Sequence, residues 1–219
     1  MVHLSRHGAG HTRLSNHVEH RANLAALGEA GVDGIVSLTV CGAVDPTIPL
    51  GSLMAFDDLY FPSNRLPDGS LCTVHDTPGG SGRGHWIFDT PLSEPLRAHL
   101  VHAARTLGTP IVDGGCYGHL DGPRFNSRTE IAALALLGVA ALSQTVGPEI
   151  VLAGEAEIPI AVLGYVTDHA NGVPAQPQPL TRLLARMASS TDTFASVLEA
   201  ALPPLAELTP TGVVYRFVP

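Results

Sequence analysis

Long apolar runs separated by short polar segments set the pattern of this chain. Two of them, residues 34–40 and 158–167, are almost continuously apolar and predict strands that are buried on both faces. Residues 139–143 predict a shorter strand, and residues 52–59 and 111–120 also have strand character. Strands without a polar face must lie inside a sheet that other elements cover.

A second set of segments places apolar residues three or four positions apart, which is the spacing of one helix face. In the clearest of these segments the apolar positions are Leu92, Leu96, Leu100, Ala103 and Leu107. The pattern predicts helices over 23–31, 91–107, 128–137, 149–156 and 181–201, the last with 190–193 as a point where it could break. Residues 62–84 and 171–179 are rich in Gly, Pro and polar residues and predict loops.

Strands that alternate with helices predict an α/β fold. We expect a single domain over residues 1–219, with a central mixed, largely buried β-sheet flanked by helices and a C-terminal helical region at 181–201. In such sheets ligands bind where strands end. The residues that follow the apolar runs are therefore the first candidates for chemistry.

Composition and charge exclude several functions. The net charge is −8 and all 12 basic residues are Arg, which argues against a nucleic-acid partner and excludes a Lys Schiff base. Cys41, Cys72 and Cys116 form no Cys-x-x-Cys pair, so neither a disulfide framework nor a metal site is expected. The N-terminus lacks the apolar stretch of a signal peptide, and the longest apolar run, 131–142, is too short to cross a bilayer. We expect a cytoplasmic protein without a membrane partner.

Polar residues near the N-terminus could form an anion site. Arg6 and His7 lie in a turn with other His and Arg residues, and the planar guanidinium group of Arg offers several donors to an oxyanion. A solvated surface turn, or a His-rich metal-binding segment, would have the same composition. Thr39 and Thr145 each follow an apolar run, where a hydroxyl group can bind phosphate or simply begin a turn.

Asp168 ends the buried run 158–167. Partial desolvation at a strand end would raise the pKa of its carboxyl group, which suits a general acid, although an Asp there can also cap a turn. Glu149 follows Pro148 and fits the first turn of a helix, where a negative charge is favourable. Phe125 could be a core residue or an apolar wall beside a ligand.

Four motifs then point to one family. They are Arg6-His7-Gly8 with His11 four residues after His7, the nine residues 122–130 (GPRFNSRTE), the six residues 144–149 (QTVGPE), and Thr167-Asp168. In order and spacing they resemble the trimeric purine nucleoside phosphorylases and methylthioadenosine phosphorylases, over residues 2–175. The resemblance implies an enzyme, a pentosyltransferase of purine salvage, which cleaves a purine nucleoside with inorganic phosphate as co-substrate and without a cofactor.

The resemblance also assigns roles to individual residues. Asp168 would be the catalytic acid at purine N7, with Asn126 also facing the purine. Phe125 and the backbone of Gln144 would contact the ribose, and Cys41 and Gly42 would lie beside the base. His85 matches a His that reaches into the site of a neighbouring subunit, which implies a homotrimer. The implied phosphate-binding residues are Arg6, His7, His11, Thr39, the Val40 amide and Thr145.

Three features of the sequence depart from the family pattern. Relatives have a strand and a Gly-rich phosphate loop before the Arg-His-Gly motif, and we expect this segment to be lacking here. Gln144 replaces a Met under the sugar, and Ala170 replaces a second Asp of the methylthioadenosine branch. Asp168 matches the 6-aminopurine branch, whereas the 6-oxopurine branch has Asn there. A nucleoside hydrolase on the same scaffold and a non-catalytic nucleoside-binding homologue remain alternatives, and the preferred base and 5′ substituent stay open.

Overall fold

The computed structural model describes residues 1–174, 178–201 and 208–217, so the predicted loop at 171–179 lies partly outside the described residues. The helices are α1 His20–Glu29, α2 Glu94–Thr106, α3 Arg128–Leu136, α4 Val146–Glu155 and α5 Leu180–Ala201. The strands are β1 Ile35–Ala43, β2 Leu53–Ala55, β3 Asp58–Tyr60, β4 Gly84–Ile87, β5 Ile111–Asp113, β6 Cys116–His119, β7 Val139–Ser143, β8 Ile160–His169 and β9 Val213–Arg216. Two short 3₁₀ turns, Ala9–His11 and Ser15–His17, precede α1.

Seven strands form one mixed sheet in the order β3-β6-β7-β1-β8-β2-β5. The two longest, β1 and β8, are parallel and paired along their whole length, with a register shift between Cys41 and Gly42. Strand β8 is buried from Ile160 to Thr167, which explains its continuous apolar run. The predicted α/β fold with a mixed, largely buried sheet is confirmed.

Helices cover both faces of this sheet. Alternate residues of β8 belong to opposite cores: Leu163 packs with Leu100 of α2 and Phe194 of α5, whereas Val162 packs with Ile150 of α4. Because successive side chains of a strand point to opposite faces, α2 and α5 lie on one face and α4 on the other. The site described below lies where strands of this covered sheet end.

One edge of β1 is only partly paired. Strand β7 runs antiparallel to β1 and pairs with it only at Gly42 and Ala43. Within the described ranges, no strand pairs with residues 35–40 on the side away from β8. Arg6 lies at this edge and donates a hydrogen bond from Nη1 to the Leu38 carbonyl at 2.7 Å. The N-terminal turn is thereby attached to the centre of the sheet.

Two predicted strands each proved to be a pair of strands. Residues 52–59 contain β2, which pairs with β8 and β5, and β3, which pairs with β6 at the far edge. Residues 111–120 contain β5 and β6, separated by Gly114 and Gly115 with φ values of 104° and 109°. Each segment pairs at both ends of the strand order although only two residues separate its halves, so the sheet curls and brings its two edges close together.

Helices α4 and α5 also differ from the prediction. Helix α5 is continuous through the suggested break at 190–193, and the Ser190 hydroxyl donates to the Met187 carbonyl of the same helix at 2.7 Å. Helix α4 begins at Val146 rather than at Glu149. Pro148 is tolerated because the first N–H groups of a helix have no intrahelical partner. Glu149 is in the first turn, as predicted.

Strands β4 and β9 form a separate antiparallel pair in which His85 opposes Tyr215 and Ile87 opposes Val213. These four side chains share one face, and Phe217 stacks edge-on against both His85 and Tyr215. The face is exposed: relative accessibility is 56% for Ile87, 63% for Val213 and 59% for Tyr215. We call these five residues the apolar outer face.

The opposite face of this pair packs on α4 through Trp86. A Cβ atom at Gly154 would lie 2.2 Å from the Trp86 ring. Helix propensity favours Ala over Gly by up to about 1 kcal/mol, but overpacking costs about 1–3 kcal/mol. We therefore expect Gly154→Ala to lower the free energy of unfolding by about 1–2 kcal/mol, measured by urea denaturation.

Gly28 of α1 provides the matched control. A Cβ atom there would meet only Ile158 Cδ1, at 3.9 Å, which is an ordinary contact. We expect Gly28→Ala to raise the free energy of unfolding by up to about 1 kcal/mol. The packing of Trp86 on α4 would be refuted if both substitutions stabilised the protein equally.

Candidate functional site

The residues of the candidate site lie near the ends of β1, β7 and β8. Gly42 of β1 is opposite both Leu142 of β7 and Asp168 of β8. Because β7 is antiparallel to β1, the residues after Leu142 run back beside residues 39–41. The Thr39 Oγ1 atom accordingly lies 2.9 Å from Ser143 Oγ. Three strands thus bring segments far apart in sequence to one edge.

Arg6 is the most strongly bound side chain of this region. Its Nε and Nη2 atoms donate to Glu149 Oε1 at 2.5 Å and Oε2 at 2.9 Å, and Nη2 also donates to Ser37 Oγ at 2.8 Å. Burial alone would lower the pKa of Arg6, but the Glu149 carboxylate outweighs burial and raises it. Arg6 is therefore a permanent cation, with its planar group fixed between β1 and α4.

His7 and His11 stack on each other beside Arg6. Their ring centroids are 4.1 Å apart with an interplanar angle of 13°, and His7 Nδ1 lies 2.8 Å from the Arg13 carbonyl. The pKa of His7 is lowered, mainly by burial and further by His11 and Arg6, against the hydrogen bond to Arg13. His7 is therefore neutral at pH 7, and its single ring N–H, on Nδ1, is donated to the Arg13 carbonyl. Its Nε2 atom is then an acceptor, which can bind an anion only where the anion carries a proton.

Thr39, Val40 and Thr145 lie around the same edge. Residues of a strand alternate, so the Val40 N–H points to the same side as the Leu38 carbonyl that Arg6 contacts. Thr145 is buried and is the N-cap residue of α4, but its side chain makes no capping hydrogen bond. Its hydroxyl group is left for another partner.

Side chains of β6 bind the first amides of α4. The Val146 N–H donates to Tyr117 Oη and the Gly147 N–H donates to His119 Nδ1, both at 3.3 Å. His119 must therefore accept through Nδ1 and remain neutral, which agrees with a pKa lowered to about 3, mainly by burial and further by the neighbouring His20. This helix end is already occupied by protein groups, so its dipole acts on an anion only from a distance.

Asp168 lies at the other end of this edge and is partly exposed. Its Oδ1 atom accepts a hydrogen bond from Thr167 Oγ1 at 2.7 Å. Burial raises the pKa of the carboxyl group, against the opposing effects of Thr167, His169 and Arg186. Gly42 faces it without a side chain: a Cβ atom there would be 3.5 Å from Asp168 Oδ2. The carboxyl group is thus held by one hydroxyl and left uncovered on the Gly42 side.

Cys41 and Asn126 are two buried residues of the predicted site. Burial raises the pKa of the Cys41 thiol, and the charge of Asp168 raises it further, so the thiol is inert at neutral pH. Asn126 is 9% accessible, and its Oδ1 atom has no hydrogen-bond partner within the described chain. A buried amide oxygen without a partner costs free energy, which a ligand that donates a hydrogen bond would recover.

The segment 122–130 is arranged as a loop that leads into α3. Ser127 caps the helix and Glu130 closes a capping box, while Glu130 also pairs with Arg124. Phe125, by contrast, is 64% accessible. A large exposed aromatic ring held on a rigid loop is suited to contact a ligand rather than the core.

Gln144 joins this loop to the end of β7. Its Nε2 atom donates to the Arg124 carbonyl at 3.0 Å, and Ser15 Oγ donates to its Oε1 atom at 3.2 Å. A Cβ atom at Gly122 would lie 2.1 Å from Gln144 Oε1, so a larger residue there would force the Gln144 side chain to move. A cavity of about 250 Å³ borders Gln144 and is lined also by His20 and His119.

His85 lies away from the other predicted site residues, on the apolar outer face. Its ring packs against Phe217, at a centroid distance of 5.4 Å, rather than at the strand ends. Among the described residues, no helix is long and apolar enough to cross a membrane. The same residues contain no group of three His, Cys, Asp or Glu side chains arranged to hold a metal ion.

Comparison with known proteins decides the family. A sequence model of the phosphorylase superfamily matches residues 1–203. The chain belongs to the phosphorylase superfamily. It is 33% identical over 206 residues to a probable 6-oxopurine nucleoside phosphorylase of Thermococcus kodakarensis, covering 92% of this chain and 76% of the relative. It is 30% identical over 219 residues to an S-methyl-5′-thioadenosine phosphorylase of Bradyrhizobium diazoefficiens, covering 97% and 72%.

Solved structures of this superfamily share the fold. A methylthioadenosine phosphorylase from Schistosoma mansoni in complex with adenine matches with a TM-score of 0.79 and 24% identity, over 90% of this chain and 74% of that one. The same enzyme in complex with tubercidin gives 0.79, over 90% and 73%. The predicted nucleoside phosphorylase-like fold and the recognition of the family are thereby confirmed.

The sequence did not predict the contacts that several polar residues make in this site. Ser37 and Glu149 hold Arg6, and Tyr117 and His119 bind the first amides of α4. His20 is 2% accessible, and its Nδ1 atom lies 4.0 Å from Glu149 Oε1 without a hydrogen-bond partner. The sequence feature that could have indicated these contacts is the spacing of Tyr117 and His119. They stand two positions apart in one strand, so their side chains point to the same face.

Proposed function

We propose that this chain is a purine nucleoside phosphorylase that cleaves the N-glycosidic bond of a purine nucleoside, or of its 5′-thio analogue, with inorganic phosphate. The observation that carries the proposal is the Asp168 carboxyl group at the end of β8, uncovered on the Gly42 side, together with the Arg6 cation held against the neighbouring strand β1. A proton donor for the base and a cation for the phosphate are the two groups that this reaction needs. The relatives named above are phosphorylases of purine nucleosides and of methylthioadenosine.

The mechanism that we propose places one reactant on each side of the sugar. The glycosidic bond stretches toward an oxocarbenium-like state, phosphate stabilises this cation, and a phosphate oxygen then bonds to C1′. The electron pair of the broken bond moves to the purine, whose N7 accepts the proton from Asp168. The products are the free purine and ribose 1-phosphate or its 5′-modified analogue.

We assign the phosphate to the edge of β1 that lacks a strand partner in the described chain. Arg6 supplies the charge, the Val40 amide and Thr39 Oγ1 supply donors from β1, and Thr145 supplies its hydroxyl group from the end of β7. Neutral His7 accepts a hydrogen bond through Nε2 from a protonated phosphate oxygen, because its Nδ1–H is donated to Arg13. His11 stacks behind His7 and completes this phosphate site.

The nucleoside would extend from this phosphate site toward Asp168. In this proposal the base lies over Cys41 and Gly42, where the missing side chain leaves space beside the carboxyl group. The Asn126 amide, whose oxygen has no partner within the described chain, donates to or accepts from the purine. Phe125 forms the apolar wall of the sugar, and the backbone of Gln144 contacts its hydroxyl groups. In this proposal phosphate is a co-substrate, and no cofactor takes part.

A substrate panel tests this proposal. Purified protein is incubated with adenosine, inosine, guanosine, methylthioadenosine and methylthioinosine, in the presence of inorganic phosphate and without added cofactor, and the free bases are quantified by chromatography. We expect cleavage of at least one purine nucleoside, and the panel decides between 6-amino and 6-oxopurines. If no nucleoside is consumed but one of them raises the melting temperature, the chain is a nucleoside-binding homologue rather than an enzyme.

We also propose that the chain is a homotrimer in which His85 enters the site of a neighbouring copy. His85 lies on the apolar outer face, where exposed aromatic and aliphatic groups suit an interface between subunits. Tyr215→Glu would place a charge at the centre of this face. We expect light scattering to give a trimer for the wild type and a smaller species for this variant.

The control for the trimer is Leu136→Glu, a change at an exposed residue of α3 that is 90% accessible and outside the outer face. It should leave the trimer intact. A monomeric wild type at micromolar concentration would remove both the trimer and the role of His85. The three cysteines are free thiols, which is consistent with the reducing cytoplasm that we propose as its location.

One observation favours a second candidate function, a nucleoside hydrolase. Arg6 already donates to Glu149, Ser37 and Leu38, so much of its hydrogen-bonding capacity is used inside the protein. If phosphate cannot displace any of these bonds, water becomes the acceptor at C1′. Release of free sugar instead of sugar phosphate distinguishes this reaction from phosphorolysis.

A further inference from the structure

Glu149 occupies the guanidinium group of the residue that we assign to phosphate. An Arg side chain has five N–H groups. The structure gives Arg6 four hydrogen bonds: one from Nε and one from Nη2 to Glu149, one from Nη2 to Ser37 Oγ, and one from Nη1 to the Leu38 carbonyl. One N–H group, on Nη1, is then left for a phosphate oxygen. A bidentate Arg–phosphate contact requires two.

The Glu149 carboxylate is itself firmly held. It is 7% accessible and accepts a further hydrogen bond from Ser37 Oγ, at 2.6 Å to Oε2. The imidazole of His20 is 4.0 Å away but contributes no charge at pH 7, since burial lowers its pKa to about 4. Among the described residues, Arg6 is therefore the cation that balances Glu149, and the pair as a whole is neutral.

The two roles of this carboxylate oppose each other. It fixes the orientation of Arg6, which favours phosphate binding because the cation does not have to be ordered. It also cancels most of the positive charge and repels a second anion a few ångströms away. With one N–H group free and a neutral pair, the geometry favours the second effect over the first.

We infer that Glu149 is a positioning residue that limits the affinity of this site for phosphate by competing for Arg6. The inference rests on the function proposed above and assigns to Glu149 a role that neither the sequence motif nor its place in the helix indicates. Its consequence is that removing one negative charge here should strengthen phosphate binding, although the charge belongs to a buried ion pair.

The first test is Glu149→Gln, which keeps the shape and one acceptor oxygen but removes the charge. We expect the KM for phosphate to fall about tenfold, whereas the KM for the nucleoside changes less than about twofold. The control Glu94→Gln removes the same charge from the exposed pair with Arg97 and should leave both KM values unchanged. An equal or higher KM for phosphate in Glu149→Gln would overturn the inference.

A double-mutant cycle keeps the test decisive if Glu149→Gln alone folds poorly. Breaking a buried pair is destabilising, whereas replacing both members by neutral groups is often tolerated. Arg6→Gln leaves Glu149 charged and unpaired beside the phosphate. We expect the double variant Arg6→Gln/Glu149→Gln to bind phosphate at least about tenfold more tightly than Arg6→Gln. No recovery in the double variant would show that Glu149 has only a structural role.

Failure of this inference can be separated from failure of the proposed function. Binding of inorganic phosphate is measured by calorimetry without nucleoside, beside turnover of the wild type. If the wild type carries out phosphorolysis but Glu149→Gln binds phosphate no more tightly, the inference is overturned and the function stands. If Glu149→Gln binds phosphate more tightly and neither protein forms sugar phosphate, the inference stands and the function is overturned.

Discussion

The Asp168→Asn variant is expected to lose at least about 10²-fold in kcat on 6-aminopurine nucleosides, with little change in KM. The amide cannot transfer a proton to N7, so the leaving purine keeps its negative charge in the transition state. Ground-state contacts are preserved, because Asn has the same shape and can still accept the 2.7 Å hydrogen bond from Thr167. Steady-state kinetics of the purified variant give both constants.

Asp192→Asn makes the same chemical change on the exposed surface of α5 and should behave as the wild type. The result also separates the two interpretations of Asp168 that the sequence leaves open. A turnover near that of the wild type on adenosine-type substrates would mean that Asp168 only caps the strand end. The raised pKa of its carboxyl group would then have no catalytic use.

Arg6→Ala is expected to abolish sugar phosphate formation and to destabilise the fold. Loss of the charged donor weakens phosphate binding, and the Glu149 carboxylate that remains repels the anion, so phosphorolysis should fall about 10³-fold or more. The same unpaired carboxylate should cost about 3–5 kcal/mol of stability. Phosphorolysis rates and urea denaturation measure the two effects.

Arg105→Ala is the control for this variant, since Arg105 forms an exposed pair with Asp113 and lies outside the site. It should lose at most about 1 kcal/mol of stability and none of its activity. If Arg6→Ala lost stability but kept phosphorolysis, Arg6 would be a structural residue. The phosphate would then have to bind elsewhere.

The fold was predictable from sequence wherever burial was complete. The run 158–167 is apolar because β8 is covered on both faces, and Asp168 follows it where the strand becomes partly exposed. The division of 52–59 and 111–120 was not predictable, because it depends on which strand each half pairs with. Strand β9, at Val213–Arg216, is too short for its pattern to be distinguished from a loop.

The site was predictable only in part, because its contacts are far apart in sequence. Arg6 and Glu149 are separated by 143 residues, and local patterns assigned one to an anion and the other to a helix start. The ion pair between them forms only when the N-terminal turn packs against β1 and α4. The roles assigned to Phe125, His85 and the other site residues by resemblance remain predictions that the variants above address.

Phosphate dependence tests the central claim most directly. The protein is freed of phosphate, a purine nucleoside is added, and products are quantified by chromatography and ³¹P NMR with and without phosphate. We expect base release only with phosphate, together with an equal amount of sugar 1-phosphate. Base release at the same rate in phosphate-free buffer, with accumulation of free sugar, would contradict the claim and identify a hydrolase.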